Sequence, residues 1–233
     1  MQKSLLCITS GTLIALWTIV LSFPAAADPL SAERIPVNDE NKDEVPEYVG
    51  PQTNLVILTE STYTELKLDD CMAIEPSATE KPETDYGHWQ CDGMTEEWPV
   101  HVFGDDLRYA VSYGENGPQE RAAQQWFGPF NRIHTTLEWV KAGDSIRTLK
   151  PVATILRFFL QVEGDDGKPR EHPILVITQL KPGAVCHIAY VDAGKNKHAN
   201  RDARMAAVRL GGSYNCDVEP EIVGPTTPIL FGE

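Results

Sequence analysis

The sequence predicts an α+β fold: a mainly antiparallel sheet, curled or closed into a partial barrel, that carries one C-terminal amphipathic helix. Apolar runs of strand length follow one another with turn residues between them, as in 174–192, where Pro182 and Gly183 separate two such runs. A later stretch, about 199–210, places small apolar residues on one side at helical spacing. Four cysteines beyond the N-terminal apolar run add the prediction of disulfides.

The first 27 residues have the pattern of a signal peptide. A short basic start with Lys3 precedes an apolar run over 5–23, and three alanines, 25–27, stand before Asp28. The alternative is an uncleaved anchor helix, because the apolar run is near the length that spans a bilayer. The alanines favour cleavage, so we expect a mature protein that starts at Asp28, is exported to the periplasm or extracellular space, and keeps no stable membrane span.

The remaining chain divides into three parts. Residues 28–52 are proline-rich and acidic with few large apolar residues, which predicts a disordered or extended lead-in. Residues 53–218 are predicted to form a single α+β domain. Residues 219–233 contain three more prolines and are predicted to be a flexible tail.

Within the domain, alternation and turn residues predict about eight strands, mostly in hairpin order. A short helix is predicted over 119–127, and Gly211 and Gly212 are expected to end the helix over 199–210. The predicted strands lie at 54–59, 63–68, 89–91, 98–103, 107–113, 133–140, 151–162 and in the two arms of the hairpin over 173–192.

Charge and cysteine content restrict the possible partners. The formal net charge of −14 argues against nucleic acid, because an acidic chain repels phosphate backbones, whereas a cationic partner is compatible with it. Four cysteines in an exported protein predict two disulfides, and three connectivities are possible. Proximity in sequence favours Cys71–Cys91 and Cys186–Cys216.

Neither a catalytic residue nor a metal or cofactor site is predicted. Cys186 and His187 are adjacent on a predicted strand and so point to opposite faces, which argues against a thiol nucleophile with its base. The spacings of Cys186, His187, His198 and Cys216 match no zinc pattern. The Gly-x-Ser-x-Gly, P-loop and dinucleotide-binding motifs are absent from the sequence.

Four residues are candidates for binding. Glu138 and Arg157 each interrupt an apolar strand, so they either form a cross-strand ion pair or line a ligand groove. His198 belongs to a locally basic loop, 194–200, whose exposed amides are able to bind an anion, although helix capping is the favoured explanation of the asparagines there. His187 is the fourth candidate, as a base beside Glu138 and Arg157.

Four segments of the sequence are also familiar as a set: 104–114 (GDDLRYAVSYG), 135–139 (TTLEW), 153–157 (ATILR) and 186–193 (CHIAYVDA), the last leading to the Ala199-Asn200 and Ala203-Arg204 pairs. Together they resemble a group of uncharacterised exported bacterial proteins across residues 66–216. The resemblance implies export and a single domain. It carries no activity and no functional residue.

The leading hypothesis is therefore an exported, non-enzymatic binding or interaction protein whose partner is an unknown protein or small molecule. One concrete version is a periplasmic inhibitor of a cationic hydrolase, because small exported lysozyme inhibitors also combine a β-rich core, disulfides and acidity. An alternative is a hydrolytic enzyme whose acid/base site is assembled from Glu138, Arg157 and His187 on distant strands. The third possibility is a structural component of the cell envelope.

Overall fold

The computed structural model describes residues 57–74, 87–164 and 166–227. The predictions for the signal peptide and for the lead-in over 28–52 lie outside these residues. The elements, in chain order, are β1 Leu58–Glu65, β2 Met72–Ala73, β3 Gly87–Cys91, β4 Val100–Asp105, β5 Arg108–Tyr113, β6 Asn131–Gly143, β7 Lys150–Glu163, β8 Pro169–Gln179, β9 His187–Asp192, α1 Ala199–Leu210 and β10 Glu221–Ile222.

The strands form two sheets. A six-stranded sheet has the order β1-β6-β7-β8-β9-β10, and a four-stranded sheet has the order β2-β3-β4-β5. All described pairings are antiparallel except that between β9 and β10, which is parallel. The prediction of antiparallel sheet with one helix is confirmed. Among the described strands, however, the larger sheet ends at β1 and β10 and is not closed into a barrel, so the curled sheet or partial barrel is not confirmed.

The main core lies between the two sheets. Successive side chains of a strand point to opposite faces, so every second residue of β6, β7 and β8 is directed towards the smaller sheet. The large side chains in this layer exclude water almost completely, and Trp139 and Tyr113 meet edge to face with their ring centroids 5.8 Å apart. The layer includes Val100, Val102, Val111, Tyr113, Leu137, Trp139, Leu156, Phe158, Ile174 and Val176.

The helix α1 covers part of the opposite face of the larger sheet. Ala203, Ala206 and Ala207 are almost fully buried in a second cluster that includes Leu175 and Val191. Small side chains at these positions let the helix backbone lie close to the strands. The helix has the bounds that the sequence predicts, and Gly212 follows it with a φ of +78°, a conformation that favours glycine.

Two local predictions are wrong. The sequence predicts two strands at 54–59 and 63–68. Within the described residues these form one strand, β1, whose register with β6 is continuous from Leu58 to Glu65. The helix predicted over 119–127 is replaced by two short 3₁₀ turns, Gly117–Gln119 and Arg121–Gln124. Glu120, between the two turns, is extended, with a φ of −75° and a ψ of 154°, so the backbone leaves the helical conformation there.

The disulfides are Cys71–Cys91 and Cys186–Cys216, the connectivity that sequence proximity favours. Disulfides form and persist in oxidising compartments, so they indicate a location outside the cytoplasm. Within residues 57–74, 87–164 and 166–227, no helix combines the length and the apolar character needed to cross a membrane.

Residues 219–227, the described part of the predicted flexible tail, make several contacts with the rest of the domain. The strand β10 pairs with β9, and the N–H and hydroxyl of Thr227 both donate to Asp192 Oδ2 at 2.8 Å. The other oxygen of Asp192 accepts a hydrogen bond from His172 Nε2 at 2.6 Å. Burial opposes ionisation of Asp192, but the hydrogen bonds from His172 and Thr227 outweigh it and hold the pKa of this carboxyl below its usual range. The contacts connect the tail to the sheet as far as Thr227, and residues 228–233 lie outside the described part.

The close packing of α1 is tested by enlarging a buried alanine. We expect Ala203→Leu to lower the free energy of unfolding by about 1–3 kcal/mol, because Ala203 is fully buried between the helix and the sheet and a larger side chain forces its neighbours to move. Urea unfolding followed by circular dichroism measures the change. Met205→Leu is the matched control, since Met205 is 57% exposed on the same helix, and it should shift stability by less than about 0.5 kcal/mol. Equal effects of the two substitutions would contradict this packing.

Candidate functional site

A groove with a volume of about 520 Å³ lies beside α1, on the face of the larger sheet that the helix covers only in part. Alternate residues of β6 and β7 form its floor, β1 and β8 form its sides, and α1 borders it with two polar side chains one turn apart. The residues that line it are Tyr63, His134, Thr136, Glu138, Ile155, Arg157, Phe159, Pro173, Leu175, Asn200 and Arg204. We call this depression the groove.

At one end of the groove, both carboxylate oxygens of Glu138 accept hydrogen bonds from neighbouring side chains. Its carboxylate accepts a hydrogen bond from the Ser61 hydroxyl at 2.6 Å and two from the guanidinium of Arg204, of which the Nη2 contact is 3.2 Å. Arg204 Nη2 also donates to the Tyr63 hydroxyl at 3.1 Å. The hydrogen bond to Glu138 raises the pKa of Arg204 above its usual value. Glu138 is only 9% exposed, so this network fixes it in place as a paired charge.

The second arginine of the groove is differently placed. Arg157 is half-buried, and its Nη2 donates to Asn200 Oδ1 at 3.3 Å. Within the described part of the chain, no carboxylate lies within 4 Å of this guanidinium. Its charge therefore faces the groove without a counter-ion from the described residues.

The ion pair predicted between Glu138 and Arg157 is wrong. The register of β6 and β7 places Ile155, not Arg157, opposite Glu138. Arg157 lies two residues further along β7 on the same face, and Arg204 from the helix takes the place that was expected for it. Both predicted residues nevertheless line the same groove, which is the other arrangement that the sequence allowed.

The opposite end of the groove is formed by Phe159. The guanidinium of Arg132 lies 3.8 Å from the centroid of this ring, and the ring of His134 lies 6.0 Å from it. Arg132 also makes a bidentate pair with Glu171, with both contacts at 2.6 Å. Hydrogen bonding to Arg132 lowers the pKa of the Glu171 carboxyl. One face of the Phe159 ring is thus covered by a charged side chain.

His187 is not part of the groove. It is 1% exposed, its Nδ1 lies 2.9 Å from the Tyr190 hydroxyl, and its ring stacks near Phe127 in the layer between the two sheets. Glu138 and Arg157 are on the helix side of the same sheet. The structure therefore does not bring together the three residues proposed for a hydrolytic site.

His198 is also outside the groove lining, although Asn200, two residues later, is in it. His198 is the exposed residue before the first turn of α1, and its backbone N–H donates to Asn196 Oδ1 at 2.8 Å. Asn196 Nδ2 donates to Asp202 at 3.0 Å, so its side chain bridges the start of the helix where the sequence predicted a direct cap.

The sequence did not identify several groove residues, namely Tyr63, His134, Phe159 and Arg204. Tyr63 and Arg204 are 141 positions apart, so no local pattern joins them. A signal for Phe159 does exist on β7, where Ile155, Arg157 and Phe159 alternate on one face and mix charge with apolar surface.

A second cavity, of about 410 Å³, lies beside the smaller sheet and has an acidic rim of Glu96, Glu97 and Glu115. A fourth carboxylate, Glu120, is engaged in structure, because it accepts the backbone N–H groups of Gly183 at 2.7 Å and of Val185 at 2.9 Å.

A histidine pair lies at this cavity. His101 Nε2 donates to Gly114 O at 3.0 Å, so its Nδ1 is left to accept from His88 Nε2 at 3.1 Å. Burial lowers the pKa of His101, which favours this neutral arrangement.

Comparisons with known proteins add no relative. No family model matches the chain, and no curated protein or solved structure matches it significantly. The described residues contain no group of three or more His, Cys, Asp or Glu side chains placed to hold a metal ion.

The burial of His187 leads to a pH-dependent stability. Burial lowers its pKa in the folded protein to about 3, whereas an unfolded histidine titrates near 6.5. Between these values the unfolded chain binds the proton and the folded chain does not. The stability that depends on neutral His187 is therefore complete above about pH 6.5 and is lost as the pH falls towards 3, by up to about 1.4 kcal/mol per pH unit.

The measurement is the free energy of unfolding in urea between pH 5 and 7 for the wild type and His187→Gln. We expect the variant to have a clearly shallower slope below pH 6.5, because the contribution of His187 is lost while that of His101 remains, and we expect the exposed-site control His198→Gln to keep the wild-type slope. A His187→Gln protein with an unchanged slope would contradict the assignment.

Proposed function

We propose that the protein is an exported, non-enzymatic binding protein whose groove takes a ligand with an anionic group next to an apolar portion. The observation that carries the proposal is Arg157, whose guanidinium faces the groove without a carboxylate partner among the described residues. Buried Ile155 and Leu175 and half-buried Phe159 supply the apolar surface beside it. A guanidinium above an apolar floor is complementary to a carboxylate with a hydrocarbon or aromatic neighbour.

The charges around the groove support this ligand class. Arg204 neutralises Glu138, so Arg157 leaves the lining with one positive charge in excess. The rest of the protein is strongly acidic, and its long-range field opposes polyanions such as nucleic acid. A small anion can form a bidentate contact with the guanidinium of Arg157. Because it carries little charge, the acidic protein repels it only weakly.

The hydrolytic alternative receives less support from the same contacts. Glu138 is engaged by Ser61 and Arg204, and His187 lies between the sheets. His134 is the histidine in the groove lining, and its Nδ1 accepts the backbone N–H of Thr136 at 3.0 Å. These contacts favour binding over acid/base chemistry in the groove.

The location that we propose is the periplasm. The two disulfides support a compartment outside the cytoplasm, and the N-terminal pattern over 1–27 supports export through a cleaved signal peptide. The resemblance to uncharacterised exported bacterial proteins is consistent with that proposal.

Inhibition of a cationic hydrolase is the second candidate function. The feature that favours it is the exposed acidic rim of the 410 Å³ cavity, which adds to a net charge of −14 that would steer a basic enzyme to the protein. The test is an activity assay of basic muralytic enzymes with the purified protein at stoichiometric excess. Inhibition that weakens with added salt supports this function, and full activity of every enzyme in the panel removes it.

The groove is tested directly with phenylacetate and its uncharged analogue phenylacetamide. We expect phenylacetate to shift the backbone amide NMR signals of β6 and β7 with a dissociation constant on the order of 1–10 mM, as suits a ligand of this size. Phenylacetamide should bind at least about tenfold more weakly, because it loses the charged contact with Arg157. Arg157→Met should lose the preference for the anion.

Arg147→Met is the matched control, since Arg147 lies in an exposed turn outside the groove. It should bind phenylacetate as the wild type does. Equal affinity of Arg157→Met and wild type for phenylacetate, or signal shifts confined to other surfaces, would contradict the proposed site.

A further inference from the structure

A second hollow continues the groove beyond Phe159. It has a volume of about 230 Å³ and shares Phe159 with the groove, and its other lining residues include Leu107, Tyr109, Arg132, Gln161 and Glu171. Phe159 therefore separates two adjoining depressions on one surface, and both are open to a ligand that passes over this ring.

The two depressions follow one strand. Ile155, Arg157, Phe159 and Gln161 alternate with core residues of β7 and so lie on the same face. With a rise of about 3.3 Å per residue, Arg157 and Gln161 are about 13 Å apart, and the row from Ile155 to Gln161 extends about 20 Å. A ligand that uses both depressions is elongated.

The chemistry along this row changes with each step. It goes from the apolar Ile155 to the cationic Arg157, the aromatic Phe159 and the neutral amide of Gln161, which is exposed. At the far end Arg132 is paired with Glu171, so among the described residues that line the two depressions the uncompensated positive charge is that of Arg157. The row thus suits a chain with one anionic end and an uncharged, alternately polar and apolar remainder.

We infer, on the basis of the proposed function, that the ligand is a peptide whose C-terminal carboxylate binds Arg157 and whose preceding three or four residues extend over Phe159 into the second hollow. An extended peptide covers about 13 Å with four residues, which is the separation of Arg157 from Gln161. Its backbone amides match the carboxamide of Gln161, and its side chains match Phe159 and Leu107. An oligosaccharide fits less well, because a sugar stacks flat on a ring face and Arg132 covers one face of Phe159, whereas a peptide side chain needs only the part of the ring that stays exposed.

The experiment uses the full-length exported protein and a pool of N-acetylated pentapeptides with free C-terminal carboxylates, together with the same pool amidated. Mass spectrometry after equilibrium dialysis identifies the retained peptides. We expect retention from the carboxylate pool only. The best pentapeptide should bind at least about tenfold more tightly than the acetylated dipeptide made of the same two C-terminal residues. Contacts beyond Phe159 supply this gain in affinity.

Two variants and one control separate the peptide inference from the proposed function. Gln161→Trp, at an exposed position, fills the second hollow and should remove the gain with length while phenylacetate binding is unchanged. Arg157→Met should remove binding of both peptide and phenylacetate, and Arg147→Met should remove neither.

This inference is overturned if the pentapeptide binds no more tightly than its dipeptide, or if it binds Gln161→Trp as tightly as the wild type. The proposed function stays intact in that case, provided that phenylacetate binding still depends on Arg157. Tighter binding of tetragalacturonate than of any pentapeptide also overturns the peptide assignment. Loss of the Arg157 dependence for both probes overturns the proposed function itself.

Discussion

The ion pair between Glu138 on β6 and Arg204 on α1 determines the character of the groove. It joins the helix to the sheet at a nearly buried carboxylate, and removing one partner of such a pair leaves a charge that burial makes costly. It also decides which arginine remains available. Because Arg204 and Ser61 satisfy Glu138, Arg157 on the next strand is left with an amide neighbour and an open side. The available cation is thus a consequence of how the helix docks.

The sheet to which the helix docks is covered on both faces. The smaller sheet packs on one side of β6, β7 and β8, and α1 packs on the other through alanines. The helix has twelve residues and covers only part of its face. The uncovered part of that face retains charged and aromatic side chains, whereas the covered part is apolar. The groove therefore lies where the apolar part of this face, covered by the helix, meets the uncovered part that is available for binding.

Features set by local sequence were predictable, and those set by distant partners were not. Alternation and turn residues identified most strands, helical spacing of small apolar residues identified the helix over 199–210, and proximity in sequence favoured the pairing of cysteines 20 and 30 positions apart. For Glu138 and Arg157 the sequence indicated an unusual position on an apolar strand. It did not identify Arg204 as the partner of Glu138, because that contact joins residues 66 positions apart and depends on the rotation of the helix. The parallel pairing of β10 depends in the same way on where the chain returns after α1.

The most direct measurement of this account is the dissociation constant for phenylacetate in Arg204→Met and in the double variant Glu138→Gln/Arg204→Met. Arg157 lies diagonally from Glu138, about 7–8 Å away between α-carbons, which is within reach of its side chain. If Arg204 keeps Arg157 available, Arg204→Met should weaken binding by about tenfold, because the unpaired Glu138 then attracts Arg157 and repels the ligand. The double variant, without that charge, should restore binding. Unchanged affinity in Arg204→Met would contradict the account.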